Sequence, residues 1–196
     1  MALHVSPEIL RQYPEFYALA LDGATDDAQA LVLDGVPAAS LRAALEAVPA
    51  PDQVRTVLVH NCADFQNLSF LENFPALEWV SVRRCPAACA LWDVARTPAL
   101  RGLAVTDCKK LCDIGGLEGA ATLEHLFLQY SAWSAVKLES LSPLQSLRAL
   151  RTLDLGFRGV KNKIKLDFNE LYPQLDSLTI TPSLRQFFIT NTEAGR

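Results

Sequence analysis

The sequence predicts an α/β solenoid: coils stacked side by side, with a parallel β-sheet along the inner curve and helical or 3₁₀ segments along the outer one. Three observations carry that prediction. Leu77, Val80, Val82 and Cys85 are echoed 23 residues later by Leu100, Leu103, Val105 and Cys108, and again by Leu123, Leu126, Leu128 and Ser131. The same interval upstream gives Val54, Val57, Val59 and Cys62. A period of roughly 20–29 residues with this pattern marks one strand and one return segment per coil. The return segments are periodic as well. Leu68, Leu91 and Ile114 share one column and Leu71, Val94 and Leu117 the next, at helical or 3₁₀ spacing. Finally, half of the 196 residues are hydrophobic, enough for a continuous core.

In chain order, residues 1–27 read as an N-terminal helical cap, which a solenoid needs because its first coil otherwise exposes the core. Ser6-Pro7-Glu8 supplies an N-cap, a proline at the first helical position and a first-turn acid for a helix toward Gln12. Pro14 opens a second short turn through Phe16, Tyr17 and Leu19. Repeats occupy residues 28–183. Ala28, Leu31 and Leu33 begin the first, and Val54, Leu77, Leu100 and Leu123 begin the next four. Leu150, Leu153 and Leu155 follow after 27 residues, then Leu175, Leu178 and Ile180 after 25, giving seven starts. Between the first two, Ser40 to Glu46 reads as a capped helix ended near Pro49 and Pro51. Pro75 and Pro98 stand just before new strands, where they stop helical continuation. Strand alternation sends the apolar anchors inward and their neighbours to solvent. Leu184, Phe187 and Ile189 read as a closing strand within the C-terminal segment 184–196.

The stretch Leu100-Arg101-Gly102-Leu103-Ala104-Val105-Thr106-Asp107-Cys108 matches the pattern L-x-x-L-x-L-x-x-N/C, and further copies recur at near-constant spacing. Over roughly residues 28–190 the chain thus resembles the leucine-rich repeat family, in particular its short cytosolic form with a cysteine column and 23-residue repeats. The resemblance implies a leucine-rich repeat arc with a parallel concave sheet. The longer repeats from Leu123 onward depart from the pattern, as do Arg158 in the Asn/Cys slot and Val36 in the first copy.

A net charge of −4 argues against a protein that coats nucleic acid, which would show a basic face, and is compatible with a basic protein partner. No apolar run approaches the ~20 residues needed to span a bilayer. Met1-Ala2-Leu3-His4 leads into no long apolar stretch, so the expectation is a cytoplasmic protein without membrane contact. Five cysteines, three of them in one repeat column, point to reduced thiols.

Cys85 with Cys89, and Cys108 with Cys112, form two equally spaced pairs. Four such thiolates would make a structural zinc set, the basis of an alternative reading as a metal-stabilised repeat protein. The simpler expectation is that Cys62, Cys85 and Cys108 fill an inward column that bonds turn N–H groups, with no metal and no cofactor. Disulfides between adjacent turns are compatible with the spacing, although no oxidising compartment is indicated. His4, His60 and His125 are scattered without ligand spacing. No catalytic triad, metalloprotease, phosphate-loop or dinucleotide motif is present, and Gly115-Gly116 reads as a turn, so the chain is expected not to be an enzyme. Arg158 with Lys161, Lys163 and Lys165 reads as a solvated basic loop.

Positions between and just after the anchors should line the concave face. They include Thr56, Leu58 and His60, then Trp79, Ser81, Arg83 and Arg84, and next the small strand Gly102, Ala104, Thr106 and Asp107. His125, Phe127, Gln129 and Tyr130 follow, then Thr152, Asp154 and Phe157, and finally Ser177, Thr179 and Thr181. Trp79, Phe127, Tyr130 and Phe157 are large aromatics where a repeat otherwise meets solvent, and with Arg83 and Arg84 they match the composition of interface hot spots. The small strand should form a depression between them, suited to a protruding loop. Trp92 and Trp133 are assigned to connections or the outer curve. The expected partner-binding set is therefore His60, Trp79, Arg83, Arg84, His125, Phe127, Tyr130, Asp154 and Phe157. The expected role is a non-enzymatic protein-interaction module of inhibitor, immunity or regulatory adaptor type.

Overall fold

The computed structural model describes residues 3–5, 29–130, 136–162 and 164–189. In chain order its strands are β1 (Leu3–Val5), β2 (Gln29–Asp34), β3 (Val54–His60), β4 (Trp79–Arg83), β5 (Gly102–Thr106), β6 (His125–Gln129), β7 (Lys137–Leu138), β8 (Thr152–Gly156), β9 (Gly159–Val160), β10 (Leu166–Asp167), β11 (Ser177–Ile180) and β12 (Phe188–Ile189). Two α-helices, α1 (Ala38–Glu46) and α2 (Phe168–Leu171), and several 3₁₀ turns fill the return segments. The fold is an α/β solenoid built of one strand and one return segment per coil. One sheet runs β1-β2-β3-β4-β5-β6-β8-β11, and every pairing from β2 to β11 is parallel. Each of those seven strands comes from one repeat start, so the chain advances by one coil per strand.

The register follows the repeat. Leu31, Val57, Val80, Leu103, Leu126 and Leu153 align across six strands. None is more than 1 % exposed, and burying a side chain of this kind contributes about 1.5–3 kcal/mol each. Leu178 continues the row but is 36 % exposed, because β11 ends the sheet. The expected closing strand does not cover it. A 3₁₀ turn over Pro182–Phe187 redirects the chain, and β12 pairs in parallel with β10 in a separate two-stranded ladder.

At the strand ends, Gly35, Asn61, Arg84 and Asp107 all hold positive φ, between 52° and 62°. They form one column. The N–H groups of Gly35, Asn61, Arg84 and Asp107 donate to the carbonyls of His60, Arg83, Thr106 and Gln129 in the following coil. The left-handed turn takes the backbone off the strand and swings the side chain outward, leaving the next residue, the cysteine slot, to point in. Glycine and asparagine adopt this conformation readily, whereas arginine does so against its steric preference.

The outer-curve columns Leu68, Leu91 and Ile114, and Leu71, Val94 and Leu117, are all buried. Trp92 joins this layer, its indole N–H donating to Thr97 Oγ1 at 3.2 Å. Helix α1 starts two residues before Ser40. Its N-cap position is Pro37, and the Ala38 N–H is bonded by Asp64 Oδ1 at 2.9 Å from the next coil. The expected N-terminal cap helices, Ser131 and Trp133 lie outside the described residues; β1 adds an antiparallel strand to the free edge of β2. Among the described residues no helix is long and apolar enough to cross a membrane.

Candidate binding face on the inner curve

Parallel register arranges the outward side chains of the sheet into rows. Thr56, Trp79, Gly102, His125, Thr152 and Ser177 form the first. Leu58, Ser81, Ala104, Phe127, Asp154 and Thr179 form the second, and His60, Arg83, Thr106, Gln129 and Gly156 the third. Exposure divides these rows in two. Toward the N-terminal side Thr56, Leu58, His60 and Ser81 are buried, His60 to 2 % exposure with Nε2 at 3.0 Å from Ser81 Oγ. His60 is therefore no contact residue, contrary to the expectation, and neither are Thr56 and Leu58. Toward the C-terminal side Trp79, Thr106, His125, Phe127, Gln129, Thr152 and Asp154 are half-buried, and Ser177 and Thr179 are exposed.

A small apolar cluster underlies this face. Val32, Leu58 and Ala104 are buried on the inner-curve side of the sheet, separate from the main core, and Trp79 and Phe127 pack on them. Trp79 lies along its row. A Cβ added to Gly102 would meet Trp79 Cε3 at 2.0 Å, so the indole occupies the space above that glycine. It reaches His125 on the next strand, ring centroids 5.7 Å apart and 29° between planes, while the Arg101 guanidinium sits 5.9 Å from its centroid. The depression expected at the small strand is thus filled by Trp79 itself. What remains is a shallow aromatic platform, Trp79 and Phe127, bordered by half-buried polar groups.

Two of the expected aromatics are elsewhere. Tyr130 and Phe157 stand in the strand-end column, but without the left-handed turn of Asn61, Arg84 and Asp107 their side chains drop into the core. Tyr130 donates its hydroxyl to the Leu111 carbonyl at 3.1 Å and packs edge-on against Phe157, centroids 6.5 Å apart. Burial pushes the Tyr130 phenol well above its ordinary pKa, which keeps it a neutral donor. These repeats are longer, 27 and 25 residues in place of 23, and the larger coils enclose space that aromatic rings fill. Arg83 is half-buried and Arg84 exposed at the strand ends.

The polar groups of the face are tied to one another across strands. His125 Nδ1 lies 3.1 Å from Thr152 Oγ1 and Nε2 lies 3.8 Å from Glu124 Oε2. Burial lowers the His125 pKa, and Glu124 only partly opposes this, so the ring is neutral near pH 7. Gln129 donates to the Asp154 carboxylate, whose pKa burial nonetheless raises.

One feature of the rim has no counterpart in the sequence reading. The residues that follow the first anchor of successive repeats are Arg55, Glu78, Arg101, Glu124, Arg151 and Asp176, alternating in charge over six coils. Each N–H from Glu78 to Asp176 donates to the carbonyl of the member before it, so the column is in register. Arg55 pairs with Glu78 at 2.9 Å, Arg101 with Glu124 through two hydrogen bonds of 3.0 and 3.1 Å, and Arg151 with Asp176 at 3.6 Å. The Arg101 contact holds the Glu124 carboxyl below the usual carboxylate range. Tabulating the residue that follows each first anchor would have exposed the column.

The cysteine column is inward as expected. Cys62, Cys85 and Cys108 are fully buried and donate to strand-end carbonyls, Cys85 to Val59 at 3.4 Å and Cys108 to Val82 at 3.8 Å, while each sulfur also faces a backbone N–H of the preceding coil, from Val36, Cys62 and Cys85 respectively. The hydrogen bond with Cys108, with burial, pushes the Cys85 thiol up to about 12. Cys89 is exposed and Cys112 half-buried, so the four sulfurs of Cys85, Cys89, Cys108 and Cys112 do not converge. Among the described residues no group of three or more His, Cys, Asp or Glu is placed to hold a metal ion. In the basic loop Lys161 pairs with Glu139 at 2.6 Å, and Lys163 lies outside the described residues.

No family model matches the sequence, and no curated protein matches it. Among solved structures the chain is similar to a leucine-rich repeat protein of Leptospira interrogans, with 14 % identity and a TM-score of 0.38 over 78 % of this chain and 48 % of that one. It is also similar to an internalin of Listeria monocytogenes, with 14 % identity and a TM-score of 0.37 over 94 % of this chain and 74 % of that one. The chain spans about half the length of the Leptospira protein.

Proposed function

We infer from this leucine-rich repeat architecture that the chain is a non-enzymatic protein-interaction module whose partner docks on the C-terminal half of the inner curve. The observation that supports the reading is the platform of Trp79 and Phe127. Two large rings stay half-exposed on an apolar cluster of their own, whereas the other apolar side chains of that cluster, Val32, Leu58 and Ala104, are buried. Half-exposed aromatics of this kind gain free energy when a partner covers them, and Trp, Tyr and Arg dominate interface hot spots. Around them His125, Gln129, Asp154, Ser177 and Thr179 supply donors and acceptors for a polar rim. The partner contacts we propose are Trp79, Phe127, His125, Gln129 and Asp154, with Arg83 and Arg84 at the strand ends. The five free thiols are in keeping with a reducing compartment such as the cytoplasm.

The test uses immobilised protein and the Trp79→Ala/Phe127→Ala double variant. Loss of partner capture with unchanged far-UV circular dichroism is expected, while Arg96→Ala on the outer curve should capture as the parent does. Capture that survives the double variant would show that the platform is not the site. If the captured partner is an enzyme or toxin whose activity the bound protein blocks, the role is that of an inhibitor or immunity protein; a partner left active and joined to a third component makes it an adaptor.

A further inference from the structure

We propose that Cys89 and Cys112 form a thiol pair on the outer surface that closes to a disulfide between adjacent coils, by exchange with a low-molecular-weight disulfide. The two residues are neighbours across a coil boundary. Ala90 and Asp113 make an isolated parallel bridge, with Asp113 N–H on the Cys89 carbonyl at 3.3 Å and Leu91 N–H on the Asp113 carbonyl at 3.3 Å. The Cys112 N–H also points at the Cys89 carbonyl, 3.2 Å away. Bridged parallel segments lie about 4.8 Å apart. That is inside the span of roughly 4.4–6.8 Å that disulfide Cα atoms occupy.

Access separates this pair from the other cysteines. Cys85 and Cys108 sit at 0 % exposure in the core column, their thiols engaged with backbone carbonyls. Cys89 is exposed and Cys112 is half-buried. In the reduced protein each sulfur is turned to its outer neighbour, Cys89 Sγ to the Gln66 carbonyl at 3.7 Å and Cys112 to the Glu139 carboxylate, which Lys161 holds at 2.6 Å. Both contacts are weak surface interactions, so rotation about the two Cα–Cβ bonds brings the sulfurs together without moving the backbone.

The exchange balances in two steps. The exposed Cys89 thiolate attacks the reagent R–S–S–R, forming a protein–S–S–R mixed disulfide and releasing R–S⁻, which takes up a proton. The Cys112 thiolate then attacks the Cys89 sulfur, displacing the second R–S⁻. Two protein thiols are oxidised, and one reagent disulfide is reduced to two thiols. Any excess of small thiol reverses the sequence.

The test treats the native protein with oxidised glutathione, alkylates it without reduction and digests it with trypsin. Cleavage after Arg84, Arg96, Lys110 and Lys137 puts Cys112 in peptide 111–137, and Cys108 in a different peptide. Peptide 85–96 holds both Cys85 and Cys89, so a Cys85→Ser variant is run beside the parent. We expect peptides 85–96 and 111–137 to be joined in both proteins, free thiols to fall by two, and dithiothreitol to restore them. Cys112→Ser should stop at glutathione on Cys89. Linkage of the peptides containing Cys85 and Cys108, a parent protein that retains glutathione without resolving it, or thiols that stay unreactive in the folded state would each overturn the proposal.

Discussion

The position of Trp79 makes Gly102 a requirement rather than a convenience, and a methyl group there should show it. An alanine Cβ would stand 2.0 Å from Cε3 and 2.1 Å from Cζ3 of the indole, far inside van der Waals contact, so the ring must leave its place. With it go the stack on His125, of the order of 0.5–1.5 kcal/mol, and the Arg101 contact, about 0.5–1 kcal/mol at an exposed site. Cover over Leu58 and Ala104 is lost as well. Against this, alanine removes the entropic penalty of a strand glycine, about 0.5–1 kcal/mol. Gly102→Ala should therefore destabilise the fold by about 1–2 kcal/mol. In a Trp79→Ala background the clash is absent, and the same change should be neutral or stabilising by up to about 1 kcal/mol. Guanidinium unfolding of the four proteins, followed by circular dichroism, yields a coupling energy expected at about 1–3 kcal/mol. A coupling within experimental error of zero would mean that the indole does not cross the glycine.

Leu126→Ala, in the centre of the fully buried row, should cost about 2–5 kcal/mol in the same unfolding assay. Gly116→Ala should be damaging for a different reason: its Cβ would lie 1.9 Å from the Trp92 backbone carbonyl, which cannot swing away as a side chain can, and a loss of about 3 kcal/mol or no soluble protein is expected. His125 binds a proton less readily in the folded protein than unfolded, so the unfolded state takes up more protons as pH falls below the ordinary histidine value. Its contribution is complete above about pH 6.5 and is lost on acidification through the lowered folded pKa. Replacing His125 by Gln should flatten that part of the stability–pH curve. Arg101→Glu would set three carboxylates on successive rungs with Glu78 and Glu124, and should destabilise by about 1 kcal/mol at low salt, with the difference shrinking in 1 M salt.

The architecture was legible because it is written in one arithmetic step. A shift of 23 residues maps Val80 on Leu103 on Leu126, and the strands pair in that register. The binding face was only partly legible. Trp79 and Phe127 were found because strand alternation fixes the side on which a side chain emerges. Tyr130 and Phe157 were misplaced because they stand after the strand, where direction depends on whether the backbone enters the left-handed turn. Asn61 and Asp107 advertise such a turn by their residue type, but Arg84 does not, and nothing local announces that the aromatics skip it. The rows around Leu58 and His60 were misjudged for another reason. Alternation gives the side of the sheet and not the depth of cover over it. The filled depression at Gly102 lay beyond sequence reasoning as well, since an indole can point along its row or away from the sheet.

The rim column has a periodicity of its own. Coils repeat singly in shape, whereas Arg55, Glu78, Arg101, Glu124, Arg151 and Asp176 repeat in pairs. A gene duplication that inserted one coil would place two like charges side by side, while one that inserted two would preserve every attraction along the column. The natural quantum for lengthening this arc, in evolution or in the laboratory, is therefore the dipolar doublet, and the span of the inner curve should grow by even numbers of turns.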